Sequence, residues 1–177
     1  MRNLLLILTL SISCFSMSST LAPNAQPSNT RSVYKAVYIS QFASLIEWPS
    51  SLKSGSFIIG VYGDNSLYNE LKTKHSSKTI GSQPIKILKF SSKSEISKCH
   101  ILYVHKSKSA DVSDLVKKYK SGSTLVVAES DGALSNGAVV NFVIKNNRQL
   151  YELSKSNAKK YNLVINSTLT KYATKVE

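Results

Sequence analysis

The sequence predicts a single α/β domain with a mixed, mostly parallel sheet, helices on both faces and an antiparallel hairpin near the C-terminus. Short apolar runs, typical of strands buried on both faces, alternate along the chain with segments of helical periodicity. In the last third of the chain, two apolar runs are separated by a short polar connection, and strands joined in this way run antiparallel. The 177 residues suffice for one domain of this kind.

The first helix is predicted to begin near residue 33 and to stop at Trp48–Pro49. Its apolar residues recur at close to helical spacing, and Asn29 or Thr30 is the expected N-cap. A proline pushes the residue before it out of the helical region, so the helix ends before Pro49.

Strands and helices alternate through the middle of the chain. The run Phe57–Tyr62 is continuously apolar and predicts a buried strand, and a short helix is predicted after it over Ser66–Lys74. The further predicted elements are strands over Ile85–Phe90 and Ile101–Val104, a helix over Ser109–Tyr119, a strand over Thr124–Ala128, hairpin strands over Ala138–Ile144 and Gln149–Leu153, a helix from Ser154 to Tyr161, and an amphipathic segment after Val164.

The N-terminus has the pattern of a secretory signal peptide. A short positive segment precedes the apolar run Leu4–Ile12, and small polar residues follow it. That run is too short to span a bilayer, which takes roughly 20 residues. We therefore predict a signal peptide over residues 1–22, a flexible tether over 23–30 and an α/β domain over 31–177 that is periplasmic or secreted. The alternative is a lipoprotein anchored through Cys14.

The net charge of the chain bears on its partners. Lys and Arg number 23 against 10 Asp and Glu, which gives +13, and loss of Arg2 with the signal peptide lowers this by one. In a cytosolic protein such a charge would suggest nucleic acid. Here the lysines are spread along the whole chain without an arginine–aromatic cluster, so we predict no nucleic-acid partner and interpret the charge as a solvating surface.

Export leaves one cysteine in the mature chain. With Cys14 removed or lipidated, Cys99 has no partner, so no intrachain disulfide is predicted. Cys99 precedes the apolar run Ile101–Val104, which favours a buried, inert thiol over an intermolecular bond.

The sequence contains no recognisable catalytic motif. It has no nucleophile elbow, phosphate-binding loop, dinucleotide fingerprint or zinc-protease motif. His100 and His105 would point to opposite faces of a predicted strand, and the carboxylates of Asp111 and Asp114 are expected to favour the start of a helix. We therefore predict no enzyme activity, no catalytic residue, no cofactor and no metal.

Polar groups at strand ends are the remaining candidates for a binding site, because open α/β sheets bind ligands there. Asp64 follows the first buried strand, where it either meets a ligand or caps the next helix. Trp48 either lines a pocket or fills the end of the core. The sequence leaves both alternatives open.

Five short sequence motifs follow one another along the chain. The first contains a Lys-Ala pair, an aromatic residue, a Phe and a closing Glu-Trp-Pro; the others include a strand ending in Gly-Asp, a turn ending in Pro and a Cys-His strand. The segments are Tyr34–Pro49, Phe57–Asp64, Ile80–Pro84, Lys98–Val104 and Asn141–Leu153. In this order they resemble the YfiR/HmsC-like family of exported signalling proteins, over residues 33–173.

This resemblance implies a periplasmic α/β protein that represses a membrane-bound diguanylate cyclase by binding its extracytoplasmic sensing region. Repression lowers cyclic di-GMP and restrains exopolysaccharide and biofilm formation. The resemblance also implies an outer-membrane lipoprotein that sequesters the repressor, homodimer formation and small-ligand binding.

Two positions depart from the family pattern. As the family aligns, the disulfide partner of Cys99 falls at Gly60, so the bridge of well-known members is expected to be missing. The strand Gln149–Leu153 is followed by Ser154 where the family more commonly has Asn, which removes that residue as a ligand contact.

We therefore expect a non-catalytic, exported regulator that docks on a membrane-bound diguanylate cyclase or sensor and holds it inactive by population shift. The alternative is a periplasmic small-molecule binding module that feeds a sensor histidine kinase pathway. From the family motif, the candidate binding residues are Lys35, Tyr38, Trp48, Asp64 and Glu152.

Overall fold

The computed structural model describes residues 27–177. A seven-stranded sheet lies at the centre of this part of the chain. The predicted signal peptide and most of the predicted tether lie outside these residues. In chain order the elements are α1 (Pro27–Leu45), β1 (Ile46–Glu47), β2 (Phe57–Tyr62), α2 (Asn65–His75), β3 (Thr79–Ile80), β4 (Gln83–Phe90), β5 (Ile101–Val104), α3 (Val112–Tyr119), β6 (Leu125–Ala128), β7 (Val140–Lys145), β8 (Arg148–Leu153), α4 (Lys155–Lys160), β9 (Val164–Ile165) and α5 (Ser167–Tyr172).

The strand order of the sheet is β3-β4-β2-β5-β6-β7-β8. The five strands β4, β2, β5, β6 and β7 run parallel, and β3 and β8 are antiparallel to their neighbours at the two edges. The central strands β5 and β6 are buried along their whole length, as their continuous apolar runs predicted. The predicted fold class, a mixed and mostly parallel α/β sheet with an antiparallel C-terminal hairpin, is confirmed.

Helices cover both faces of the sheet. Tyr103 in β5 points to the face that carries α1, where its ring lies 6.1 Å from that of Phe142 and its hydroxyl meets the side chain of Lys35. Helix α2 packs beside α1, with Ser40 hydrogen-bonded to His75. Helix α3 lies on the other face. There Tyr62, the last residue of β2, donates its hydroxyl to the carboxylate of Asp111, directly before α3.

Helix α1 differs from its predicted bounds at both ends. It begins at Pro27, before the predicted caps Asn29 and Thr30, in keeping with the preference of proline for the first helical position. It ends at Leu45, because Ile46–Glu47 pairs in antiparallel fashion with β9 to form a separate two-stranded sheet. A two-residue strand has no periodicity of its own, so neither β1 nor β9 was predicted.

The hairpin between β7 and β8 has a two-residue turn. Lys145 and Arg148 are the last paired residues, and Asn146 and Asn147 between them have φ angles of 49° and 57°. Positive φ at both central positions matches the right-handed twist of the strands, and Asn tolerates this conformation better than most residues. This tight turn fixes the register that brings Phe142 opposite Tyr151.

The final residues of the chain pair with the outer edge of β8. Thr174 donates its N–H to the carbonyl of Tyr151 at 2.9 Å, and Leu153 donates to the carbonyl of Lys175 at 2.9 Å. Val176 forms a parallel bridge with Leu153. The half of β8 nearer the hairpin turn is not covered in this way.

Candidate functional site

The carboxyl ends of the parallel strands meet the N-terminal half of α1, and four polar side chains converge there. Lys35 comes from α1, Asp64 follows β2, Tyr103 lies in β5 and Glu129 follows β6. Strand β2 leads to β4 on one side and β5 leads to β6 on the other. The four side chains therefore lie at the topological switch point of the sheet, where open α/β folds form ligand crevices.

Lys35 is at the centre of this group, which we call the switch-point cluster. Its Nζ lies 2.6 Å from Glu129 Oε2, 3.0 Å from the Tyr103 hydroxyl and 3.5 Å from Asp64 Oδ2. The Tyr103 hydroxyl donates to Glu129 Oε2 at 2.5 Å. Three acceptor oxygens thus surround an ammonium that has three protons to donate.

Local structure holds Asp64 in place. Its Oδ1 accepts the backbone N–H of Leu67 at 2.9 Å and so caps α2, which leaves Oδ2 for Lys35. Asp64 therefore caps the next helix, as one alternative predicted, and it also belongs to the switch-point cluster. Contact with a ligand stays a prediction. Gly63 before it has a φ of 89°, a left-handed conformation that glycine adopts without strain.

The electrostatics of the switch-point cluster follow from its burial. The side chains of Lys35, Asp64 and Glu129 are only 6%, 10% and 13% exposed, so one positive and two negative charges are shielded from water. Burial, together with the negative charge of Glu129, raises the pKa of the Tyr103 hydroxyl, which stays protonated and donates. Burial also lowers the pKa of His105, which follows β5.

The arrangement fastens α1 to the sheet rather than presenting reactive groups. The ammonium of Lys35 faces three oxygens, and the Tyr103 proton is directed at Glu129. Within residues 27–177, no group of three or more His, Cys, Asp or Glu side chains is placed to hold a metal ion. Such a closed network positions elements and fills the crevice at the switch point.

A family model described as YfiR/HmsC-like matches residues 32–174. The chain belongs to the YfiR/HmsC-like family. Membership is consistent with a regulatory role in cyclic di-GMP signalling on the periplasmic side of the membrane. A search of curated proteins finds no match.

Two solved structures share the fold of this YfiR/HmsC-like chain. One is a conserved domain protein from Vibrio cholerae, with a TM-score of 0.55 and 11% identity over 80% of this chain. The other is an ABC domain in complex with L-Trp from Streptococcus pneumoniae, with a TM-score of 0.53 and 10% identity over 85% of this chain. The match covers 60% of each of those longer chains.

We also asked whether any helix in the described part of the YfiR/HmsC-like chain could span a membrane. Across residues 27–177, no helix combines the length and the apolar character needed to cross a bilayer.

The structure separates the five candidate binding residues of this family member. Lys35 and Asp64 come together in the switch-point cluster. Tyr38 lies one turn along α1, where its ring packs 5.1 Å from that of Tyr151 and its hydroxyl donates to the backbone of β8. Trp48 lies at the other end of the strands, against Phe57 at the start of β2. Glu152 pairs with Lys145 at 3.3 Å on the hairpin. Their role in binding stays a prediction.

Trp48 fills the amino end of the core and also borders a cavity. It is 5% exposed, and its ring meets that of Phe57 edge-on at 5.0 Å. The cavity beside it has a volume of about 370 Å³. The two alternatives for Trp48 are therefore both realised.

Tyr103 and Glu129 were not among the candidate residues. Tyr103 lies inside an apolar run and is typical of a core residue, so its hydroxyl gave no local signal. Glu129 carried one usable signal: it directly follows the buried strand Leu125–Ala128, much as Asp64 lies just after β2. Because the carboxyl ends of parallel strands share one edge, acidic residues just after two such strands are candidates for one cluster.

Cys99 is buried and makes no disulfide within residues 27–177 of the YfiR/HmsC-like chain. Burial raises the pKa of its thiol to about 12. A Cβ atom built on Gly60 would lie 2.8 Å from Cys99 Sγ, so the two positions that the family alignment relates are in contact.

Proposed function

We propose that this protein is a non-catalytic periplasmic regulator that binds the extracytoplasmic region of a membrane-bound diguanylate cyclase or sensor and represses it. The observation that carries the proposal is the YfiR/HmsC-like match, which extends over residues 32–174 and so takes in nearly the whole described domain. Repression would lower cyclic di-GMP and restrain biofilm formation.

The mechanism we propose is a population shift. A regulator that binds only the inactive arrangement of its partner moves the equilibrium toward that arrangement by its difference in affinity for the two states. This requires a rigid surface more than a reactive one. The closed switch-point cluster supports the proposal, because it fixes α1 against the ends of β2, β5 and β6.

The predicted signal peptide over residues 1–22 brings the domain to the compartment where such a partner is accessible, with anchoring through Cys14 as the alternative. Sequestration by an outer-membrane lipoprotein would relieve repression, and the regulator itself would form a homodimer. Both relations come from the family resemblance and belong to this proposal.

The deciding experiment measures intracellular cyclic di-GMP in the native host with and without the gene. Deletion is expected to raise cyclic di-GMP, and a full-length copy is expected to restore the original level. The matched control is a copy that lacks residues 2–22, which leaves the domain unchanged but stays in the cytoplasm and should not complement.

Two outcomes would reject the repressor role. One is an unchanged cyclic di-GMP level after deletion, and the other is full complementation by the copy without the signal peptide. An unchanged level would favour the alternative, a periplasmic small-molecule binding module that feeds a sensor histidine kinase. The chain shares its fold with an ABC domain in complex with L-Trp, and this likeness supports that alternative.

A further inference from the structure

The lysines are spread along the whole sequence, but the fold gathers many of them on one surface. Three segments, residues 96–110, 115–128 and 153–176, contain no aspartate or glutamate. Their lysines are Lys98, Lys106, Lys108, Lys117, Lys118, Lys120, Lys155, Lys159, Lys160, Lys171 and Lys175. The contacts between α3, α4 and the loop before β5 decide which of these lysines lie together.

The ends of α3 and α4 are in contact with each other through Gly137. A Cβ atom built on Gly137 would lie 2.7 Å from Val116 Cγ1 in α3 and 2.9 Å from the hydroxyl of Tyr161, the residue directly after α4. That hydroxyl donates to the carbonyl of Gly137 at 2.6 Å. The lysines that follow Val116 and those that precede Tyr161 are therefore neighbours.

Lys98 joins the same group of lysines. A Cβ atom built on Gly122, just after α3, would lie 3.4 Å from Lys98 Cε. Tyr119, the last residue of α3, donates its hydroxyl to the carbonyl of Ile96, which holds the loop before β5 against the end of the helix. We call the surface formed by these lysines the basic face, and all of its lysines are exposed. Its members are Lys98, Lys117, Lys118, Lys120, Lys155, Lys159 and Lys160.

The basic face lies at the amino ends of the parallel strands. Lys98 precedes β5 and Lys120 precedes β6. Helix α4 follows β8, whose antiparallel direction returns the chain to this end, and the N–H of Ser154 donates to the carbonyl of Val139 just before β7. The carboxylates of the switch-point cluster lie at the other end of the strands. The domain is thus electrically polarised along its strands.

The lysines of the basic face form no ion pair with an acidic side chain of residues 27–177. Two acidic residues border the face, and each already has a lysine partner outside it. Glu47, in the strand that pairs with β9, lies 3.0 Å from Lys53, and Glu177, whose carbonyl accepts the N–H of Lys155, lies 3.0 Å from Lys175. The basic face therefore keeps its positive charge uncompensated.

Helix stability accounts for only part of the basic face. A positive charge in the last turn of a helix interacts favourably with the helix dipole, which suits the lysines at the ends of α3 and α4. Lys155 is the first residue of α4, where a positive charge opposes the dipole, and Lys98 lies outside any helix. These two lysines therefore point to a role of the charge beyond the helices.

An apolar side chain projects beside the basic face. Val164, in β9 directly after α4, is 62% exposed and lines a shallow groove that also includes Lys155, Lys159 and Leu163. Lysines around an exposed aliphatic side chain match the interface of a bilayer, where phosphates are next to acyl chains. A soluble polyanion offers negative charge but no apolar layer.

We infer that the basic face binds the surface of a membrane rich in anionic phospholipid. The lysines lie near the phosphates, and Val164 contacts the acyl chains. The adsorbed protein presents the carboxyl ends of its strands, with the switch-point cluster, away from the bilayer. The inference goes beyond the proposed regulation and needs no protein partner, so the failure of either leaves the other untouched.

The test measures cosedimentation of the exported, purified protein with lipid vesicles. Every protein in the series carries Cys14→Ser, so that a lipid anchor cannot contribute. The vesicles contain phosphatidylcholine, either alone or mixed with phosphatidylglycerol. Because each lysine near an anionic surface contributes about fivefold to binding, we expect partitioning into the mixed vesicles to be about tenfold higher or more. Added salt should reduce this preference, since it screens the charges.

Two fourfold variants with the same net charge separate a specific surface from general attraction to a basic protein. The first variant carries Lys117→Gln, Lys120→Gln, Lys159→Gln and Lys160→Gln. The control carries Lys72→Gln, Lys78→Gln, Lys86→Gln and Lys89→Gln. The control lysines are exposed and lie on or beside α2 and β4, near the other edge of the sheet. The first variant should partition about tenfold less into the mixed vesicles, and the control should stay within about twofold of the parent protein. Circular dichroism verifies that both fold.

Val164→Ser tests the contact with the acyl chains. The substitution leaves the net charge unchanged and lies at an exposed position, so the fold should be retained. Partitioning into the mixed vesicles should fall about threefold, because less apolar surface is removed from water. Binding to soluble polyphosphate, which has no apolar layer, should stay the same.

The inference fails on any one of three results. The first is equal partitioning into the two kinds of vesicle. The second is an equal loss in the two fourfold variants, which would mean that net charge alone drives adsorption. The third is unchanged partitioning of Val164→Ser, which would assign the basic face to a soluble polyanion rather than to a bilayer.

Discussion

The ammonium of Lys35 and the carboxylate of Glu129 form a 2.6 Å ion pair that joins α1 to the end of β6, across 94 positions of sequence. Both side chains are largely shielded from water. A pair of this kind contributes little net stability when it forms, yet breaking it from one side leaves a buried charge without compensation.

Lys35→Met is therefore expected to destabilise the protein strongly. The substitution keeps the length of the side chain but leaves Glu129 and Asp64 without their cation, which should lower the free energy of unfolding by about 3–5 kcal/mol. Urea denaturation measures this loss, with the fluorescence of Trp48, the only tryptophan, as the signal.

Lys53→Met is the matched control for that prediction. Lys53 pairs with Glu47 at 3.0 Å, but both side chains are more than half exposed, so its loss should cost no more than about 1 kcal/mol. Similar losses for the two variants would mean that the switch-point cluster does not fasten α1 to the sheet.

A disulfide is expected to form in the Gly60→Cys variant under oxidising conditions. The new Cβ would lie 2.8 Å from Cys99 Sγ, and the bridge would close a loop whose entropy predicts about 4 kcal/mol of stabilisation. Part of this gain is offset, because the Cβ would also meet the ring of Phe90 at 2.7 Å. Mass spectrometry of the oxidised protein should show the loss of two hydrogens.

Gly60→Ala is the control for the bridge, since it has the same contact with Phe90 and no sulfur. It should be less stable than the wild type, whereas oxidised Gly60→Cys should be more stable than its own reduced form. Two free thiols in the oxidised Gly60→Cys protein would contradict the predicted proximity.

The thiol of Cys99 should react with iodoacetamide only after unfolding. Burial raises its pKa to about 12, so almost no thiolate is present at pH 8 in the folded protein. Labelling followed by mass spectrometry should show a strong rise in modification across the urea transition. Rapid labelling of the native protein would show that Cys99 is accessible.

Stability should fall as the pH drops below about 6.5, the pKa of imidazole in an unfolded chain. Burial lowers the pKa of His75, His100 and His105 in the folded protein, so folding favours their neutral forms. The stabilisation is complete above the unfolded pKa and is lost as the pH falls through the folded values. Unfolding free energies from pH 7 to pH 5 measure it.

His100 should account for part of this dependence in a specific way. Its Nδ1 accepts the N–H of Ile58 at 3.0 Å and its Nε2 faces the carbonyl of Leu52 at 2.9 Å, so protonation removes an acceptor from a buried amide. His100→Gln can accept and donate without titrating and should make the pH dependence shallower. An unchanged slope would assign the effect to the other two histidines.

Elements with strong local patterns were predictable from the sequence. The apolar runs of β2, β5 and β6 predicted these strands correctly, because a strand buried on both faces is continuously apolar and can be recognised from its own residues. Strands β1 and β9 were missed since each has only two residues and exists through its pairing with the other. The start of α1 was missed because the polar residues after Pro27 also suit a tether.

The candidate site was predictable only in part. Lys35 was named from the family motif, and Asp64 also from its position after a buried strand. The structure brings the two to 3.5 Å. Tyr103 and Glu129 complete the switch-point cluster through the parallel register of β5 and β6, which no local pattern specifies.

The pairing of residues 174–177 with β8 bears on how the protein behaves at high concentration. An uncovered edge strand offers free backbone groups that a strand of another molecule can join, which is a common route to aggregation. Here the chain itself occupies the outward groups of Tyr151 and Leu153. The second half of β8 is thus protected from edge-to-edge association, and the uncovered first half starts at the tight hairpin turn, where Lys145 and Arg148 carry positive charge.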